Sequence, residues 1–195
     1  FQAMLDEVIE LSQMAEDLGF SAVTFPEHHL HTEGGEMGSL PVLTQHVLAN
    51  TKKILAGPIG YVLPGWNPLR LALETAWMDQ ISKGRTIAGF ARGYQSRWLN
   101  PMAQHLHGVG AIHSTKTADN DVVNREAFME VYDILKLAWG DEPFRYKGKY
   151  YQYPHPYETG TPWPAAKRFL PVNQRSAGLH ARVLSQPCLY PISTS

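Results

Sequence analysis

The sequence predicts an α/β fold, the N-terminal portion of a (β/α)8 TIM barrel in which parallel strands alternate with helices. Three observations carry that expectation. Helical apolar stripes and short apolar runs follow one another as helix, strand, helix, strand, helix, strand, helix, and such alternation builds a parallel sheet from βα units. An open doubly wound sheet has the same rhythm, yet no strand is followed by Gly-x-Gly-x-x-Gly and no Walker-type phosphate loop is present. The ionisable and glycine-rich stretches also fall at the C-terminal ends of the strands, where a barrel gathers its functional groups.

Met4, Val8, Leu11, Ala15 and Leu18 form one apolar helical stripe, stopped by Gly19. Residues 20–25 then read as a short strand ending at Pro26-Glu27-His28-His29, followed by a Gly/Glu-rich loop over 31–39. A second helix covers 41–50, with Pro41 tolerated in its first turn. Residues 54–63 form a second strand, apolar on both sides as a buried parallel strand is. Asn67-Pro68 supplies an N-cap and a proline at the first helical position; Leu69, Ala72, Leu73 and Ala76 make that helix's apolar face, and Lys83-Gly84 closes it. A third strand over 86–90 runs into Ala91-Arg92-Gly93, and the polar stretch 101–121 reads as a long loop. Val123, Ala127, Val131, Ile134, Leu135 and Ala138 give the clearest helix, ending at Gly140, and 144–151 reads as a hairpin turning at Lys147-Gly148.

Composition narrows the function classes. With 195 residues, 44% hydrophobic and 18% charged, the chain is long enough for one globular core. A formal net charge of −1 argues against nucleic acid or a membrane surface as the main partner. A lone cysteine, Cys188, cannot form an internal disulfide, which fits a reducing, cytoplasmic setting. Residue 1 is Phe inside a helical pattern, so a first strand is expected upstream. No Asp or Glu follows Glu158, and several prolines do. Residues 1–163 are therefore read as a partial barrel domain and 164–195 as an atypical, poorly ordered tail.

Glu27-His28-His29, with His31, Glu33 and Glu36 close behind, is the densest ionisable set. Imidazole and carboxylate suit a metal, but adjacent residues of an extended chain point to opposite faces, so His28 and His29 do not readily share one ion. One histidine serving structure and the other facing solvent is the plain alternative; a histidine at a strand end can also act as acid, base or anion stabiliser. Arg92, beside Gly93, suits bidentate capture of a phosphate, and equally suits a rim ion pair with a neighbouring carboxylate. Gly57-Pro58-Ile59-Gly60 interrupts a strand, either as a bulge or close ligand approach or to relieve crowding. Tyr94, Trp98 and the tyrosines of 150–153 would suit a flat ring cofactor, as they would a surface hairpin.

Three segments together resemble the bacterial luciferase-like flavin-dependent monooxygenases: Glu27-His28-His29; Val62-Leu63-Pro64 with Asn67-Pro68 running into Asp79-Gln80-Ile81-Ser82-Lys83-Gly84-Arg85; and Gly89-Phe90-Ala91-Arg92-Gly93. The resemblance implies a barrel binding FMN at its C-terminal face, usually in a homodimer, with reduced FMN supplied by a flavin reductase. O2 and a small organic substrate are then the co-reactants. It places His28 at the catalytic histidine, stabilising the oxygen-activated cofactor and moving protons. Glu27, Ile59, Gly60, Ala91 and Arg92 become cofactor-binding, with Arg92 on the phosphate and Ile59-Gly60 where members often carry a non-prolyl cis peptide. Ala91 stands where some luciferases have cysteine, so light emission is not implied. No metal ligand is assigned. Members continue beyond residue 165, so about half of a barrel is expected here, with weak or absent activity of the chain alone. F420 in place of FMN, or a non-catalytic flavin-binding partner subunit, are the competing readings.

Overall fold

The computed structural model describes residues 2–30, 37–112, 119–141, 144–155 and 157; His31, Glu33, Glu36 and the whole of 164–195 lie outside the described residues. Helix α1 (Gln2–Asp17) leads into strand β1 (Ala22–Phe25), α2 (Leu40–Asn50), β2 (Leu55–Pro58) and β3 (Tyr61–Val62). After a 3-10 turn (Leu63–Gly65) come α3 (Pro68–Ser82), β4 (Phe90–Ala91), α4 (Ser96–Met102), a second 3-10 turn (Gln104–Leu106) and α5 (Asp119–Ala138). The hairpin β5 (Tyr146–Lys147) and β6 (Gln152–Tyr153) follows.

The strands β1 to β4 pair in parallel in chain order, as in a barrel wall, whereas β5 and β6 pair antiparallel. β1 pairs with β2 from Ala22↔Leu55 to Phe25↔Pro58, and β3 pairs with β4 through Tyr61↔Phe90 and Val62↔Ala91. Backbone bonds from Ile87 N to Ala56 O and from Gly89 N to Pro58 O (both 2.9 Å) extend the ladder between those pairs. Helices α1, α2, α3 and α5 pack in succession around the sheet. No helix among the described residues is long and apolar enough to cross a membrane.

Glycine makes the sheet this tight. A Cβ on Gly57 would lie 1.9 Å from Ile87 O, and one on Gly60 would lie 2.5 Å from Phe90 N. The neighbouring strand's backbone occupies that space, which supports the crowding reading of the Gly57-Pro58-Ile59-Gly60 stretch over ligand approach along the Cβ directions. The predicted 54–63 strand is in fact two strands, β2 and β3, with the cis Ile59–Gly60 peptide between them.

Helix faces differ from expectation in two places. On α1, Leu11 is exposed, as is Leu18 just after it, and Ser12 is buried, its hydroxyl donating to Val8 O (2.6 Å). On α3 the inward face is Leu71, Ala72, Thr75, Met78, Asp79 and Ser82, while Leu73 points out. Thr75 and Ser82 donate to the carbonyls of Leu71 and Asp79, so these polar side chains enter the interior already satisfied. The ends of α3 follow the sequence: Asn67 Oδ1 accepts from Arg70 N (3.0 Å), and Lys83 is left-handed at φ 59°. The loop expected over 101–121 is partly helical, holding the end of α4, a 3-10 turn and the start of α5.

At the N-terminal end of the strands, Arg85 ties the motif to the scaffold. Its guanidinium donates to Leu48 O (2.6 Å), Thr51 Oγ1 (3.1 Å) and Ile54 O (3.2 Å). Glu16, from the end of α1, accepts the backbone N–H groups of Lys52 (3.0 Å) and Ile54 (2.8 Å). Those donors, Ile54 foremost, hold its carboxyl below the ordinary glutamate range.

Candidate active site

The opposite end of the sheet collects the residues singled out from the sequence. Phe25 and Pro58 stand in register, and Ile59 N donates to Phe25 O (2.9 Å). Glu27-His28-His29 and Ile59-Gly60 therefore leave adjacent strands at the same level. One strand further, Tyr61 N donates to Gly89 O (2.8 Å) and Val62 pairs with Ala91, which puts Ala91-Arg92 at the same edge.

Burial alternates along 25–30: Phe25, Glu27 and His29 are buried, Pro26 and Leu30 exposed, His28 half-buried. The period of two separates the histidines, as extended backbone requires. His29 Nε2 lies 2.8 Å from Glu27 Oε1, and its ring meets Trp98 edge-on with centroids 4.9 Å apart. His28 keeps the more open side, while its carbonyl accepts from Met37 N (3.0 Å). Among the described residues no group of three His, Cys, Asp or Glu side chains is placed to hold a metal ion.

Glu27 is the organising carboxylate. Besides His29, it accepts the Trp66 indole N–H on Oε1 (2.9 Å) and the Val62 backbone N–H on Oε2. Both oxygens are thus engaged by protein donors from the segment after β2, and Glu27 faces the scaffold. Ile59 is 50% exposed at the strand end and presents an apolar surface there. Ala91 is half-buried opposite Val62.

Arg92 Nη2 donates to Asp121 Oδ1, so the rim ion pair anticipated from the sequence exists, with Asp121 as its carboxylate. Arg92 Nε is buried and has no hydrogen-bond partner among the described residues. Gly93 follows at φ +78°, and a Cβ there would lie 2.5 Å from Val62 Cγ1, so glycine is required for the turn that aims Arg92.

Most of the aromatics serve the core. Trp98 is buried, and Tyr151 is buried with its hydroxyl 2.8 Å from His105 Nε2 and within 3.3 Å of Trp66 O, while burial pushes its phenol well up. Of the aromatics singled out from the sequence, Tyr94 is the exposed one. Trp66 and Asp121 are the partners that sequence reasoning missed. They lie 39 and 29 residues from Glu27 and Arg92, and no local pattern links them.

A parallel sheet that gathers an imidazole, an arginine and an apolar strand end at its carboxyl edge defines the class: part of the wall of an α/β barrel. Within that class the chain belongs to the luciferase-like monooxygenase family, whose pattern it matches over residues 2–183. It is 27% identical over 150 residues to 2,5-diketocamphane 1,2-monooxygenase 2 of Pseudomonas putida, covering 76% of this chain and 37% of that protein. It is 34% identical over 119 residues to the alkanal monooxygenase alpha chain of Photobacterium leiognathi, covering 61% of this chain and 32% of the other. Among solved structures, it superposes on the oxygenating constituent of 3,6-diketocamphane monooxygenase from Pseudomonas putida, a type II Baeyer-Villiger enzyme in complex with FMN. That match has a TM-score of 0.61 at 25% identity and covers 76% of this chain and 37% of the other. The chain thus spans less than two fifths of the length of these relatives.

Proposed function

We propose that this site binds FMN and serves the oxidation of a small organic substrate by O2, with reduced FMN delivered by a flavin reductase. The observation that carries this is the register that brings His28, Ile59-Gly60 and Ala91-Arg92 to one edge of the sheet. The residues fit a flavin phosphate and ring: an arginine with a spare buried N–H beside an exposed apolar strand end. When bound, reduced flavin supplies the electrons that activate O2.

The chain's own groups do the rest. Arg92 anchors the phosphate, Ile59-Gly60 and Ala91 give the ring an apolar wall, and His28 holds or moves a proton at its imidazole. Glu27 joins the loops after β1 and β3 so that His28 and Ile59 keep a fixed relation.

Titrating FMN by fluorescence quenching and assaying oxygenation with reduced FMN tests the reading. His28→Ala is expected to take the weak turnover of the chain down to the background of free reduced FMN while FMN affinity stays within about threefold. An unchanged rate in that variant removes His28 from the chemistry. Hydride transfer with F420, without oxygen uptake, would move the chain to the deazaflavin chemistry instead.

A further inference from the structure

The guanidinium proposed to anchor a phosphate is already held by a carboxylate of the same chain. Asp121, in the first turn of α5, takes Arg92 Nη2 on Oδ1 and Arg125 Nη2 on Oδ2 (3.3 Å). The side chains of Arg92 and Asp121 are 23% and 41% exposed, so the pair sits at the rim, open to solvent. Arg92's hydrogen bond holds the Asp121 carboxyl below the usual aspartate range, so it is ionised at neutral pH. The backbone beneath Arg92 is secured separately: Asn124 Nδ2 donates to both Arg92 O and Gly110 O (2.9 Å each).

A carboxylate and a phosphate oxygen compete for the same guanidinium N–H groups. We propose that Asp121 is an exchangeable stand-in for the ligand's phosphate, which enters by taking Arg92 from Asp121 while Asp121 keeps Arg125. This rests on Arg92 being the phosphate anchor. Asp121 then sets how strongly a phosphorylated flavin is preferred over an unphosphorylated one. A neutral side chain at 121 removes both the competitor and a like charge beside the incoming phosphate. A residue that merely positions Arg92 would behave in the opposite way.

The test titrates the full 195-residue chain with FMN and with riboflavin, in the wild type, Asp121→Asn and Arg92→Gln. Asp121→Asn is expected to tighten FMN about threefold or more, the scale of removing one partly exposed ion pair, and to leave riboflavin within about twofold. Weaker FMN binding in Asp121→Asn, or an equal shift for both flavins, overturns the exchange. Failure of the anchor itself is distinguishable: the wild type then binds FMN and riboflavin equally, and Arg92→Gln alters neither. A readout free of flavin affinity is the NMR shift of the Arg92 side-chain N–H groups as inorganic phosphate is added. The shift is expected at lower phosphate in Asp121→Asn than in the wild type, and identical titrations sink the proposal.

Discussion

Glu27 concentrates three donors on one buried carboxylate, and that asymmetry decides what its removal does. A buried acceptor that satisfies an imidazole, an indole N–H and a backbone N–H leaves all three unpaired when it goes. Glu27→Ala is expected to destabilise the chain by about 2–4 kcal/mol, read as a lower urea midpoint at unchanged slope, with Glu27→Gln losing less because one oxygen remains. A midpoint equal to the wild type in Glu27→Ala would show that the network carries no net stability. The separation of His28 from His29 was legible in the sequence, because an extended chain alternates whatever it packs against. The partners of Glu27 were not legible, since Val62 and Trp66 meet it only after α2 and β2 have brought the chain back. Arg92 shows the same limit, its ion pair being readable as a possibility but Asp121 only from the fold.

Helix α5 is the element that the sequence described best, and the reason is physical. Ala127, Val131, Ile134, Leu135 and Ala138 are all buried, and the polar residues buried beside them, Asn124 and Glu130, bond the backbone of neighbouring segments without displacing the apolar stripe. On α1 and α3, serine and threonine turn inward by bonding their own helix's carbonyls, and the leucines they displace lie outside; an apolar stripe alone then points to the wrong face. Helix α5 also fixes the hairpin after it. Buried Glu130 accepts the backbone N–H groups of Lys149 (2.9 Å), Tyr150 (2.9 Å) and Tyr151 (2.7 Å), and Gly148 leaves room for its carboxylate. Glu130→Ala should speed hydrogen exchange at residues 149–151 by at least about tenfold, while the amides of α5 change far less. Equal protection in both proteins would show that the hairpin stands without the helix.

Across the whole molecule, apolar surface is left outside. Leu73, Trp77 and Ile81 line one exposed side of α3, and Leu11 and Met14 of α1, with Leu18 just after it, are exposed as well. A contiguous apolar stripe of this kind draws chains together. The wild type should sediment with an apparent mass that rises with concentration, and Leu73→Lys with Trp77→Lys should return it toward 21.9 kDa. A concentration-independent monomer in the wild type would contradict this. The two ends of the sheet divide their labour: Arg85 and Glu16 bind the scaffold at the amino end, and the candidate chemistry sits at the carboxyl end. The in-and-out alternation from Phe25 to Leu30 adds a rule about inheritance. Here the extended chain counts in twos, so gaining one codon between Glu27 and His28 would swap the histidines. One would be sent to the buried carboxylate and the other to the open side, with the composition almost unchanged. Point substitutions can explore this stretch one property at a time, whereas an insertion reverses its parity in a single step.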